Sequence, residues 1–121
     1  MHINTNSNVP IYEQIAKLIE DQILSDELQA DSKVYSTNQL AKLFSINPAT
    51  ARKGLTILID KNIIYKKRGV GMFVYQNAKE IILQEKSNQF YSNFIENMLL
   101  EAKKIGLSKH DVIQLIKNGA K

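Results

Sequence analysis

From Pro10 onward, apolar residues recur at helical spacing in three successive segments of the chain. The first follows Pro10, which suits the start of a helix, and predicts an amphipathic helix of about fourteen residues. The second begins at Ser36, where Ser36 and Gln39 have the spacing of a capping box. The third begins at Asn47-Pro48, a favourable N-cap followed by proline at the first helical position. Its apolar stripe consists of Ala51, Leu55, Leu58 and Ile59.

The period then changes from helical to that of β-structure. Residues 63–67 and 72–75 are rich in β-branched and aromatic side chains, which predicts two strands. Gly69 and Gly71 lie between the two segments and permit positive φ, so the strands are expected to form a hairpin. Arg68 gives this hairpin a basic tip. Three helices followed by a hairpin is the element order of a winged helix-turn-helix.

Residues 79–105 have the pattern of one long helix whose later half is unusually apolar. Gly106 fits the end of this helix, and Ser108 can cap a last helix that ends at Gly119. A tail this small has too little core to be stable alone, so pairing with a second copy is expected to bury its apolar side chains. The predicted dimer-interface residues are Phe90, Tyr91, Phe94, Ile95, Met98, Leu99, Leu115 and Ile116.

These patterns predict a fold that is mainly α with a small β-hairpin. An N-terminal winged helix-turn-helix domain is expected over residues 1–77, and its first nine residues are expected to form a loose polar arm. A two-helix C-terminal dimerisation region is expected over residues 78–121.

Composition excludes several classes of function. The 121 residues include no cysteine, which excludes disulfides and thiolate metal sites. His2 and His110 are too isolated for a metal site or a catalytic triad, and Gly69-Val70-Gly71 lacks the rest of a nucleotide-binding loop. We therefore expect no enzyme activity, metal or cofactor. Neither a membrane span nor an export signal is visible, so we expect a cytoplasmic protein without a membrane partner.

The basic charge is concentrated in one stretch. The net charge is +4, and residues 52–68 contain six basic residues against a single acidic one, Asp60. Such a cluster is typical of a surface that binds a polyanion. On charge alone, a solvated basic face explains it equally well.

The first turn of the third helix has the side chains that a recognition helix needs. Ala49 and Thr50 are small enough for close approach to a duplex, while Asn47 and Thr50 can hydrogen-bond phosphates or base edges. The free N–H groups of the helix start favour an anionic phosphate. Arg52 can present two donors to guanine, and Lys53 suits a phosphate.

Four stretches carry a family resemblance when taken together. They read PIYEQIA at residues 10–16, STNQLAKLF at 36–44, NPATARKGL at 47–55 and IIYKKRGVGMFV at 63–74. They resemble the opening helix, helix-turn-helix and wing of GntR-family transcriptional regulators, and the short helical tail resembles the YtrA subfamily. The resemblance implies DNA contacts from the start of the second helix, the third helix and the wing. Together with Asn47, Ala49 and Lys53, the candidate DNA-binding residues are Ser36, Thr37, Asn38, Thr50, Arg52, Arg68 and Gly69.

The sequence also departs from this family at several positions. Tyr35 replaces the usual proline before the second helix, and Asn38 replaces an arginine that commonly contacts DNA. Asp26 and Ala30 replace a loop glycine and proline. Gly54 stands where alanine is common, and helical spacing puts it beside Lys53 on the polar side of the helix.

The predicted function is that of a DNA-binding transcriptional regulator, expected to be a repressor that binds a pseudo-palindromic operator as a homodimer. One alternative is a winged-helix adaptor that binds protein instead of DNA. Another is a sensor gated by an unknown small-molecule effector at the dimer interface. Two helices are expected to leave little room for a ligand cavity of the usual ~300–1,000 Å³.

Overall fold

The first helix, α1 (Ile11–Leu24), buries the apolar stripe predicted for it. In the computed structural model, which describes residues 2–119, Ile15, Ile19 and Ile23 are almost inaccessible to solvent. The polar arm before α1 is fastened to it and is not loose. The Gln14 side chain accepts a hydrogen bond from the Asn4 N–H at 2.7 Å and donates to the Asn4 carbonyl at 2.9 Å.

The second and third helices begin where local capping chemistry predicts. Helix α2 (Thr37–Phe44) has Ser36 as its N-cap, and helix α3 (Pro48–Asp60) has Asn47 as its N-cap. Between them Ser45 adopts a left-handed conformation with φ +54°. This reverses the chain within a few residues and completes the helix-turn-helix.

A hairpin follows, as predicted, and a third segment extends it. Strands β1 (Ile64–Lys67) and β2 (Gly71–Val74) pair in antiparallel fashion. Residues 31–34 lie along the other edge of β2, where the Val34 N–H donates to the Met72 carbonyl at 2.8 Å. Strand β2 therefore has hydrogen-bonded backbone on both of its edges.

One hydrophobic core holds these elements together. Ala78 and Ile82, in the first turns of α4 (Ala78–Phe90), belong to this core, although the sequence pattern counted them with the tail. Full burial of a leucine or isoleucine side chain contributes about 1.5–3 kcal/mol, so the core fixes the wing and both helices of the helix-turn-helix. Its largest fully buried side chains are Ile15, Ile19, Leu40, Leu55, Leu58, Ile63, Ile64, Val74 and Ile82. The compact unit built on this core ends at Leu83, and a second unit begins at Gln84.

Residues 78–104 are helical without interruption, which agrees with the long helix predicted for residues 79–105, but one turn of it is not α-helical. Between α4 and α5 (Glu96–Lys104) the chain forms a wide π-helical turn over Tyr91–Ile95. A π-helical turn disturbs the regular i→i+4 pairing of backbone groups. The Asn97 side chain supplies a partner here by donating to the Asn93 carbonyl at 2.7 Å.

The end of α5 and the start of α6 (Lys109–Gly119) follow the predicted signals. Gly106 has φ +80°, and the Leu107 N–H donates to the Ala102 carbonyl at 2.9 Å, as in a Schellman motif. At α6, the Asp111 N–H donates to Ser108 Oγ at 3.0 Å and the Ser108 N–H donates to Asp111 Oδ2 at 2.8 Å. Hydrogen bonds from Ser108 hold the pKa of Asp111 below its usual value.

Candidate nucleic-acid interface

The start of α3 is an exposed helix end, but the expectation of free N–H groups there is wrong. Thr50 and Ala51 both donate to the Asn47 carbonyl, at 3.0 and 3.2 Å. Asn47 and Ala49 are exposed, and Thr50 is half-buried. The Asn47 Oδ1 accepts a hydrogen bond from the Ala49 N–H at 2.8 Å. The Asn47 side chain is thus partly used in capping, and its Nδ2 group remains as a donor.

The two basic residues of α3 have different surroundings. Arg52 is exposed, and among residues 2–119 no carboxylate forms an ion pair with its guanidinium. Lys53 is also exposed, but its Nζ lies 4.0 Å from the centroid of the Tyr12 ring on α1. A cation–π contact at an exposed site contributes about 0.5–1 kcal/mol, enough to bias the side chain without neutralising it. Arg52 is free to reach a base edge, whereas the ammonium of Lys53 is held near the surface of α1.

The placement of Gly54 on the polar side of α3 is wrong. Gly54 is buried, and a Cβ atom added to it would lie 2.9 Å from the Tyr12 carbonyl oxygen and 3.1 Å from Ile15 Cγ2. The apolar stripe alone predicts which face of the helix is buried, and it does not reveal where a glycine allows a neighbouring helix to approach. Gly54 lets α1 and α3 approach closely.

The start of α2 contributes a capping box and exposed polar side chains. The Gln39 N–H donates to Ser36 Oγ at 3.1 Å, and the Ser36 N–H donates to Gln39 Oε1 at 2.8 Å. Thr37 is half-buried and Asn38 is exposed. At position 38 the surface therefore presents a neutral amide in place of a guanidinium.

The wing presents its basic tip to solvent. Arg68, Gly69 and Val70 connect the strands and are all exposed, and the Val70 N–H donates to the Lys67 carbonyl at 2.9 Å. Gly69 has φ +76°, which a residue with a Cβ rarely adopts. The tip is consequently a tight turn in which the backbone itself can approach a partner closely.

The recognition helix and the wing are directly connected. The Ile63 N–H donates to the Leu58 carbonyl at 3.0 Å, which fixes the entry to β1 against the end of α3. At the base of the wing the Tyr65 hydroxyl donates to Asp31 Oδ1 at 3.0 Å. Desolvation and the adjacent Asp31 carboxylate raise the pKa of Tyr65, so this hydroxyl keeps its proton.

Lys33 is a surface cation that sequence reasoning missed. It lies in the segment beside β2 and forms a bridge with Phe73. The sequence from Asp26 to Lys33 shows only a polar break, and the single apolar residue Val34 gives too short a pattern to indicate a strand. Only the pairing with β2 brings Lys33 to the wing.

The tail contains most of the remaining exposed apolar surface. Phe94 is 62% exposed, and its ring lies 5.4 Å from that of Phe90 between centroids. Of the predicted interface residues, Ile95 and Leu99 are half-buried, and the exposed ones are Phe90, Tyr91, Phe94, Met98, Leu115 and Ile116.

The expectation that two helices leave little room for a cavity is wrong. An open apolar groove of about 790 Å³ lies between α5 and α6. Three of the predicted interface residues, Met98, Leu115 and Ile116, line it. Ala102 and Val112, which also line the groove, are the only buried hydrophobic residues among residues 84–119.

Other site chemistries find no support in residues 2–119. Within that range, no three His, Asp or Glu side chains come close enough together to hold a metal ion. No helix in the same range combines the length and the apolar character needed to cross a bilayer.

Residues 11–74 match the model of the bacterial regulatory proteins of the gntR family. The match begins at α1 and ends with β2, and it covers more than half of the chain. This chain belongs to the gntR family. It is therefore related to DNA-binding transcriptional regulators and not to a family of enzymes.

Two relatives in Bacillus subtilis (strain 168) differ in the share of their length that this chain covers. It is 37% identical to the HTH-type transcriptional repressor NagR over 84 residues, which are 69% of this chain but only 35% of NagR. It is 26% identical to the HTH-type transcriptional repressor YtrA over 117 residues, which are 97% of this chain and 89% of YtrA. The likeness to YtrA includes the helical tail and supports the YtrA subfamily.

Two solved structures share the fold. A GntR family transcriptional regulator from Listeria monocytogenes superposes with a TM-score of 0.70 at 29% identity, covering 93% of this chain and 97% of that one. The DNA-binding domain of AraR in complex with operator ORR3 superposes with a TM-score of 0.54 at 26% identity, covering 61% of this chain and 89% of that one.

The structure explains two departures from the gntR pattern. Asp26, at the position usually held by glycine, has φ +66°, a left-handed conformation that glycine favours and aspartate tolerates. Its carboxylate also pairs with Lys79 at 3.1 Å. Tyr35 is half-buried and packs against the core where the family usually has proline.

Proposed function

We propose that this gntR-family regulator is a repressor that binds a pseudo-palindromic operator as a homodimer. The observation that carries the proposal is the exposed first turn of α3, with Arg52 free of ion pairs with the rest of residues 2–119 and connected through the core to a basic-tipped wing. A helix of this kind enters the major groove by its N-terminal end, and the wing tip reaches the backbone or groove beside it.

The homodimer is supported by the composition of the tail surface. Exposed apolar patches larger than a few hundred Å² are rare on monomers and mark interaction sites. The exposed aromatic and aliphatic side chains of residues 84–119, with the apolar groove beside them, form such a surface. A second copy offers a surface of the same composition, and two-fold pairing would present two recognition helices to one duplex.

The names of the relatives support repression. NagR and YtrA are both named repressors, and the DNA-binding domain of AraR binds an operator. In a repressor, occupation of the operator is itself the regulatory event. The groove between α5 and α6 keeps a small-molecule effector as the alternative, which ligand-dependent release from DNA would favour.

Selection of bound sequences from a random duplex pool tests this proposal. We expect an enriched half-site repeated with two-fold symmetry, at a spacing near one helical turn or a multiple of it. Arg52→Ala should weaken operator binding by about 1–3 kcal/mol and relax the preference at one base pair per half-site, without lowering the melting temperature. Lys86→Gln, on the exposed polar part of α4, is the charge-matched control. No enrichment over the starting pool, or unchanged affinity in Arg52→Ala, would contradict the proposed role.

A further inference from the structure

We propose that Lys33 and Lys67 form a phosphate clamp on the outer face of the wing, separate from the Arg68–Gly69 tip. The clamp would hold one stretch of the DNA backbone beside the groove that the tip enters. This inference rests on the proposed operator binding.

The register of the wing places the two lysines on one face. Lys67 pairs with Gly71 across the hairpin, and Lys33 bridges to Phe73 from the opposite edge of β2. Paired residues on neighbouring antiparallel strands point to the same side of a sheet. Met72 packs against the core, so its neighbours Gly71 and Phe73 belong to the outer face, and both lysines do as well.

Gly71 makes room for Lys33 on this face. A Cβ atom at Gly71 would lie 2.8 Å from Lys33 Cε and 3.6 Å from Lys33 Nζ. The long side chain of Lys33 therefore passes over the glycine and brings its ammonium towards the strand that contains Lys67. Lys67 is held from the other side, with its Nζ 5.1 Å from the centroid of the Phe73 ring.

Both ammonium groups are available to an anion. Lys33 and Lys67 are exposed, and within residues 2–119 neither has a carboxylate oxygen within ion-pairing distance. Two unpaired cations on either side of a glycine give a concentrated positive potential, which suits a phosphate diester better than a neutral partner.

The same face also shows where the clamp ends. Tyr65 pairs with Phe73 across the hairpin, and the centroids of their rings are 5.8 Å apart. The Tyr65 hydroxyl is hydrogen-bonded to the Asp31 carboxylate. That negative charge disfavours a phosphate at the base of the wing. We therefore expect the DNA backbone to lie on the half of this face that is nearer the wing tip, next to Arg68.

The experiment measures the salt dependence of binding to the selected operator for Lys33→Gln and Lys67→Gln. A plot of log K against log salt concentration has a negative slope, and each phosphate contact makes it steeper by about 0.9. We expect each variant to reduce the slope by about this amount per bound protomer and to weaken operator and random duplexes alike, because phosphates have no sequence information. Lys33→Arg keeps the positive charge and should have the wild-type slope, and Lys86→Gln should also leave the slope unchanged.

The outcomes separate this clamp from the proposed function. If the wild-type protein binds the operator and Lys33→Gln keeps the wild-type slope, the clamp is refuted and operator binding stands. A change in sequence preference at constant slope would also refute it, because that result indicates a base contact. If the wild-type protein selects no duplex, both proposals fail. Thermal unfolding of Lys33→Gln should match the wild type because the side chain is exposed, whereas Lys67→Gln should melt slightly lower because it loses the contact with the Phe73 ring.

Discussion

Replacing Gly54 by alanine sets two opposing effects on stability against each other. Helix propensity alone favours alanine over glycine by about 0.8–1.0 kcal/mol in a helix interior. Packing acts in the other direction, because the new Cβ would lie 2.9 Å from the Tyr12 carbonyl oxygen and 3.1 Å from Ile15 Cγ2. The nearer of these atoms is backbone, so relief requires α1 and α3 to separate and not merely a side chain to rotate.

Packing should win. Inserting a methyl group into a close-packed contact typically costs about 1–3 kcal/mol. After the gain in helix propensity is subtracted, we expect Gly54→Ala to lower the free energy of unfolding by about 1 kcal/mol. Urea unfolding followed by circular dichroism measures this difference, provided that the protomer concentration is held constant.

Gly119→Ala is the matched control, because Gly119 is also helical and no atom of residues 2–119 outside its own helix backbone lies within 4 Å of an added Cβ. This variant should be unchanged or more stable by up to about 1 kcal/mol. If Gly54→Ala were stabilised to the same extent as the control, the close approach of α1 and α3 at Gly54 would be incorrect.

Two further predictions concern the tail. Phe94→Asp and Ile95→Asp should each produce monomers, because a charge in an apolar interface is costly to desolvate; an intact dimer in sedimentation equilibrium for both would refute the placement of the interface. The lowered pKa of Asp111 means that its capping contribution is complete above the unfolded-state value of 3.8 and is lost as the pH falls through the lower folded-state pKa. Helical content should therefore decrease on acidification below about pH 4, and Asp111→Ala should lose that part of the pH dependence; an unchanged acid profile in the variant would exclude Asp111 as its source.

The helix starts could be predicted from the sequence because capping is local. Ser36 and Asn47 each accept a hydrogen bond from an N–H two or three residues ahead, so the signal lies within one turn of chain. The hairpin was predictable for a similar reason, since two glycines between β-branched segments permit few other conformations. The exposure of Arg52 was predictable as well, because the start of the helix determines which residues lie opposite its apolar stripe.

The features that sequence reasoning missed depend on distant parts of the chain. The burial of Gly54 reflects the position of α1, far away in sequence. Lys33 joins the wing only because residues 31–34 pair with β2. The π-helical turn at Tyr91–Ile95 has no such local signal, because the apolar residues around it fit an uninterrupted α-helix equally well.

The capping bonds also limit the chemistry that the helix starts can offer to DNA. The Asn47 Oδ1 is occupied by the Ala49 N–H, and the Ser36 Oγ accepts from the Gln39 N–H. Each of these oxygens keeps a second lone pair, and the side chains also keep their donors, the Nδ2 group of Asn47 and the hydroxyl proton of Ser36. Arg52 is a donor as well, but the first N–H groups of α3 are already used: Ala49 donates to Asn47 Oδ1, and Thr50 and Ala51 donate to the Asn47 carbonyl. Phosphate oxygens and the O6 and N7 atoms of guanine are acceptors, so the side-chain donors at the helix starts are complementary to them.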